Sequence, residues 1–176
     1  YVLGRTIEEG MRKGREGNRP GTRFSYDMLG EGARTGPDAK RYFDNYVAAI
    51  DTISRAGNAA SVIDADGISL KLSALHPRYS FRQRARVMHE LLPRVLELAR
   101  LARAGGLGFT IDAEECDRLD ISLDIFEALA RDDSLVGWDG LGFVLQTYQK
   151  RAPAVTDWLI ALGRDTGRRL MVRVVK

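Results

Sequence analysis

The stretch GISLKLSALHPRYS, residues 67–80, places Lys71 between Leu70 and Leu72 in what otherwise reads as a buried strand. An isolated ammonium in an apolar interior is very costly, so such a lysine is paired, neutral, or turned toward a cavity. Other stretches share its pattern. GISLK (67–71), GFTID (108–112), GFVLQ (142–146) and RLMVR (169–173) each set two apolar residues at alternating positions and a polar residue fifth. RFSYD (23–27) fits the same template with Asp27. Side chains alternate across a strand, so Ile68/Leu70, Phe109/Ile111, Phe143/Leu145 and Leu170/Val172 share one face. The other face gathers Asp27, Lys71, Asp112, Gln146 and Arg173 near the C-terminal ends.

The strand-like runs cover 24–29, 68–72, 109–112, 141–146 and 170–175, with helical patterns between them. Segment 37–57 repeats Tyr42, Tyr46, Ala49, Ile50 and Ile53 at helical spacing. Segment 84–106 repeats Val87, Leu91, Val95, Leu98 and Leu101, with a kink expected at Pro93. Segments 119–132 and 152–167 complete a β-α-β-α-β-α-β-α-β alternation, the signature of a parallel sheet. An open doubly wound sheet buries both faces under helices and leaves no place for five polar groups in one register. A (βα)8 TIM-like barrel does: apolar residues face the helices, and polar ones at the C-terminal face converge on one site. The expected fold is therefore α/β, with this chain holding about the first five strands of the barrel. A paired polar layer with no chemistry would use the same residues.

Of the 176 residues, 44% are hydrophobic and 29% charged, which suits a globular core and argues against disorder. Net charge is +3, and the arginine clusters RQRAR and GRRL have no aromatic stripe beside them, so nucleic-acid binding is not expected. A lone cysteine, Cys116, excludes an internal disulfide. No apolar run is long enough to span a bilayer, and a cytoplasmic location is expected. Both ends read as cut, Tyr1 inside an apparent helix and Lys176 beside an apparent strand. Residues 1–22 are expected to form a helical arm and linker, truncated upstream. Residues 23–176 would be the N-terminal part of the barrel, truncated downstream and inactive alone.

At these residues the sequence resembles a known family. FSYDMLGEGA, ISLKLSALHPRY, IDAEECDRLDISLDIFE, GFVLQTYQKR and RLMVRVVK are similar, in order, to the proline dehydrogenase domain of the bifunctional bacterial proline utilization A enzymes. The resemblance implies a distorted barrel holding FAD, oxidation of L-proline to Δ1-pyrroline-5-carboxylate by hydride transfer to flavin N5, and a membrane quinone as electron acceptor. It also implies peripheral association of the parent with the inner membrane and self-association of the parent. Lys71 falls on the active-site lysine against the proline carboxylate, and Asp112 on the aspartate near flavin and substrate. Gln146, Arg173, Val175 and Lys176 fall on cofactor contacts, with Arg173 beside flavin N5. Glu31 falls on a glutamate that gates the site. Register selects Asp27 in the first strand where the family points to Glu31, and both have the same parity.

The chemistry suits these residue types. An arginine lends positive potential without losing its proton, and a lysine can orient a carboxylate substrate. The substrate amine must be neutral before hydride leaves, so a carboxylate such as Asp112 is a candidate base, a role the sequence does not assign. His76 reads as structural, Trp138 and Trp158 as packing residues, and Tyr148 as a residue of the mouth. No pair of His, Asp or Glu has convincing metal spacing, and no dinucleotide-binding glycine motif follows a strand. Other readings stay open: a lysine Schiff-base aldolase on a barrel, a non-catalytic basic interaction module, or a flavin barrel of the methylenetetrahydrofolate reductase type.

Overall fold

The computed structural model describes residues 2–16, 18, 21–28, 32–57 and 59–176. Its centre is a five-stranded parallel sheet: β1 (Ser25–Asp27), β2 (Gly67–Leu70), β3 (Gly108–Ile111), β4 (Leu141–Gln146) and β5 (Met171–Val175). The strands lie side by side in chain order, β1-β2-β3-β4-β5. A doubly wound sheet reverses its strand order part-way; this one never does, so it winds in one direction as a barrel wall does. The chain is a partial barrel.

Helices link the strands. α1 (Ile7–Arg15) precedes the sheet, α2 (Gly36–Ala56) follows β1, α3 (Arg84–Glu90) and α4 (Leu92–Ala104) follow β2, α5 (Leu119–Ala130) follows β3, and α6 (Ala152–Thr166) follows β4. α2 packs on α4, α4 on α5 and α5 on α6, so neighbouring helices follow the strand order. The longest, α2, starts where the sequence says it should. Thr35 Oγ1 accepts from Asp38 N–H at 3.2 Å while Asp38 Oδ2 accepts from Thr35 N–H at 3.1 Å, a reciprocal capping box with proline in the first turn. α6 stops at Gly167, whose φ of 63° lets its N–H reach back to the last carbonyls.

The core forms between the helices and one face of the sheet, with Ile68, Leu70, Phe109, Ile111, Leu141 and Phe143 all buried there. Phe126 of α5 meets Phe143 of β4 with ring centroids 5.0 Å apart. At the foot of the other face the backbones crowd: a Cβ on Gly67 would lie 2.9 Å from Gly108 O, so β2 and β3 meet there through a glycine pair.

Several boundaries differ from expectation, among them β1, which covers only Ser25–Asp27. α1 begins at Ile7, after a Thr6 cap that accepts from Glu9 N–H at 3.3 Å, rather than from the first residues; Tyr1 lies outside the described residues. The expected kinked helix is two helices broken at Leu91, because Pro93 has no N–H and takes the first turn of α4. β2 ends at Leu70, and Lys71 introduces a tight 3-10 turn over Leu72–Ala74. The end of the first expected strand, Leu29, lies outside the described residues.

Candidate active site

Strand pairing sets the height of each polar side chain. Asp27 pairs with Ser69, and Ser69 with Thr110, which fixes the lowest row. Leu70 pairs with Ile111, so Lys71 and Asp112 come one step higher, at the level of the paired Val144 and Arg173. Gln146 pairs with Val175 one layer above. All of them point to the face away from the helices, as the alternation requires. The five polar residues expected on one face near the strand ends are thus staggered over three levels.

Lys71 is the hub. Its ammonium donates to the carboxylate of Asp27 and lies 3.1 Å from Asp112 Oδ2, while its side chain is only 12% exposed. Burial disfavours the charge, but the hydrogen bonds and charges of Asp27 and Asp112 outweigh it and hold the Lys71 pKa above its ordinary range. Lys71 is thus a paired lysine, its ammonium held between two carboxylates. One ammonium between two carboxylates also makes a poor nucleophile at neutral pH, since Schiff-base chemistry needs the free amine.

Arg173 projects across the same face and donates from Nη2 to Ser69 Oγ at 3.1 Å; Ser69 Oγ in turn lies 2.9 Å from Ser25 Oγ. Above them, Gln146 Nε2 donates to Glu114 O at 3.1 Å, and Gln149 Nε2 donates to Gln146 Oε1. The Val175 carbonyl accepts from both Thr147 N–H and Thr147 Oγ1, each at 2.8 Å, which fixes the end of β5 to the loop after β4. Lys176 is exposed, and Glu31 lies outside the described residues.

Sequence reasoning passed over Glu114. Its carboxylate accepts Ser73 N–H at 3.0 Å on one oxygen and Arg118 Nη1 at 3.0 Å on the other, and its carbonyl holds Gln146. It therefore joins the β2 turn, the β3 loop and the β4 end into one rim. The only signal in the chain was an acid two residues beyond Asp112, the same parity one layer up. Ser73 completes the rim by binding the segment after β1: its carbonyl accepts Ala33 N–H at 2.8 Å and its Oγ accepts Gly32 N–H at 3.2 Å.

Other candidates are sorted by burial. His76 turns from the lumen, with Nδ1 accepting Arg78 N–H at 3.1 Å and Nε2 3.1 Å from Glu90 Oε2. Trp138 is buried, Trp158 packs on the core and Tyr148 is exposed.

A family model described as proline dehydrogenase matches residues 11–176. The chain belongs to the proline dehydrogenase family. It is 52% identical to the bifunctional protein PutA of Escherichia coli (strain K12), over 100% of this chain and 13% of that protein. Against a crystal structure of Bradyrhizobium japonicum proline utilization A it aligns with a TM-score of 0.88 at 56% identity, covering 100% of this chain and 18% of the other. The proline utilization A of Bdellovibrio bacteriovorus gives the same TM-score of 0.88 at 19% identity over 100% of this chain and 20% of that one, a likeness of fold. The chain thus spans about an eighth of that curated relative's length (13%).

Proposed function

We propose that this chain supplies the substrate-facing and cofactor-facing half of an FAD-dependent proline dehydrogenase, which oxidises L-proline to Δ1-pyrroline-5-carboxylate. The observation that carries the reading is the Asp27–Lys71–Asp112 cluster on the same barrel face as Arg173, with Lys71 and Asp112 at its height and Asp27 one layer below. Proline at neutral pH holds one carboxylate and one ammonium. The cluster offers a cation for the first and two carboxylates for the second.

Residues here also fit an isoalloxazine. Gln146 presents both an amide donor and an acceptor at the upper rim, and Arg173 is a permanent cation one layer below. Gln146 and Arg173, with Val175 and Lys176, would hold the flavin. When bound, FAD supplies the acceptor for the hydride leaving C5 of proline.

The chain's own residues orient and discharge the substrate. Lys71, kept protonated by its neighbours, binds the carboxylate and fixes the ring, removing rotational freedom that would otherwise add to the barrier. Asp112 and Asp27 are the carboxylates at hand to accept the amine proton. Glu31 acts as the gate, and a membrane quinone takes the electrons in the full-length protein, with its peripheral membrane association and self-association. Among the described residues no helix is long and apolar enough to cross a membrane. Residues 1–22 form an arm ahead of the barrel.

The test uses the full-length flavoprotein mixed anaerobically with L-proline. Bleaching of the flavin absorbance and formation of an aminobenzaldehyde-reactive product are expected. A protein that purifies without flavin, or keeps it oxidised in proline, overturns the reading.

A further inference from the structure

One residue past its end, β2 hands a backbone hydrogen bond to a side chain. The ladder to β1 begins with Gly67 N–H donating to Phe24 O at 2.8 Å and runs on through the Tyr26–Ile68 and Asp27–Ser69 pairs. In a parallel ladder every second N–H faces the same neighbour, so the spacing addresses Lys71 N–H to residue 28. It donates instead to Tyr46 Oη at 3.3 Å.

Tyr46 sits near the middle of α2 with its ring in the core, and only 1% of the residue is exposed. An apolar helix face has no need of a hydroxyl there. A phenylalanine would fill the same space without burying a polar atom, which costs free energy unless it is partnered. The partner is the backbone of Lys71, whose side chain joins Asp27 to Asp112. The hydroxyl also meets the chain where β2 gives way to the 3-10 turn, a place where the sheet alone no longer sets the path.

We infer that Tyr46 is the positioning residue for Lys71: its hydroxyl closes the β2 ladder and fixes the backbone from which the ammonium reaches substrate. The inference rests on the proline-oxidising reading above. Tyr46 touches neither substrate nor cofactor; it acts through the Lys71 main chain. A lysine side chain is long and flexible, so its aim depends on where its backbone is held, and errors of about 1 Å at such sites cost on the order of 100-fold in rate.

The test is a double-mutant cycle in the full-length flavoprotein, using Tyr46→Phe, Lys71→Met and the pair. The readouts are the dissociation constant of a non-oxidisable five-membered cyclic carboxylate, followed by the flavin spectrum, together with KM and kcat for proline and the thermal midpoint. With Lys71 present, Tyr46→Phe should weaken the carboxylate and raise KM about fivefold, the scale of one hydrogen bond. In the Lys71→Met background the same change should do nothing to either. Equal effects in both backgrounds would make Tyr46 a packing residue only, and no effect in either would also overturn the inference. Should the phenylalanine variant fail to fold with flavin, 3,5-difluorotyrosine at position 46 keeps ring and hydroxyl while weakening the acceptor; unchanged carboxylate affinity there overturns it equally. A wild-type protein that neither binds the carboxylate nor oxidises proline would sink the proline reading itself, an outcome separable from the others.

Discussion

Lys71 Nζ stands 3.1 Å from Asp112 Oδ2 across the seam where β2 and β3 have just stopped pairing. Both side chains leave strand ends, where the backbone is still held by the sheet but the lumen has begun to open. Asp112 N–H still donates to Leu70 O at 2.9 Å, so the aspartate is anchored by the ladder that the lysine is leaving.

Asp112→Asn keeps the shape of this contact and removes its charge. If the carboxylate takes the substrate proton, proline-dependent flavin reduction should fall on the order of 100-fold. The thermal midpoint should move by only a few degrees, because Asp27 still pairs Lys71. Stopped-flow bleaching measures the first and a melt the second. A wild-type reduction rate removes Asp112 from the chemistry.

Lys71→Met should raise the proline KM by about tenfold or more, with a smaller fall in kcat if the ammonium binds ground and transition states alike. It also leaves Asp27 and Asp112 without the ammonium that joined them. Because pairing holds the Lys71 pKa above its ordinary 10.5, its stabilisation is fully present below that pH and is lost as pH rises through the higher folded value. The stability gap between wild type and variant should therefore stay flat from about pH 7 to 10 and narrow only in stronger base. Urea unfolding at stepped pH reads it; a gap closing near pH 9 would mean the amine is not held charged.

Arg168 belongs to the scaffold. Its guanidinium donates to three carbonyls, those of Ala130, Leu135 and Asp132, closing the end of α5 against the turn before β4. Burial, and then the charge of Arg103, lower its pKa, so the site holds the cation at some cost. Arg168→Ala should lose about 2–3 kcal/mol of stability and leave proline affinity unchanged. Arg168→Lys should recover little, since an ammonium cannot match a planar fork. A neutral melt for the alanine variant would remove Arg168 from the structural account.

Gly67→Ala should destabilise by about 2 kcal/mol, because the added methyl meets Gly108 O at 2.9 Å and Gly108 Cα at 3.3 Å, both backbone atoms that cannot swing aside. Gly10→Ala in α1 has nothing within 4 Å and should be neutral or stabilising by up to about 1 kcal/mol. The pair of melts distinguishes a close backbone approach from a general intolerance of glycine replacement.

The sequence alone determined which residues face which way. Alternation in GISLK and GFTID is a local property of an extended chain, so Lys71 and Asp112 could be placed opposite Ile68 and Phe109 from one strand at a time. The capping box at Thr35, Pro37 and Asp38 is equally local, and so is the end of α6 at Gly167. Height was another matter. Asp27 and Arg173 occupy the same template position in their strands, yet pairing sets Asp27 a layer below Lys71 and Arg173 level with Asp112, because register depends on how two strands slide past one another. For the same reason Glu114, Ser73 and Tyr46 looked unremarkable in the chain. Their partners lie 41, 41 and 25 residues away, at contacts that exist only once the helices have folded back onto the sheet.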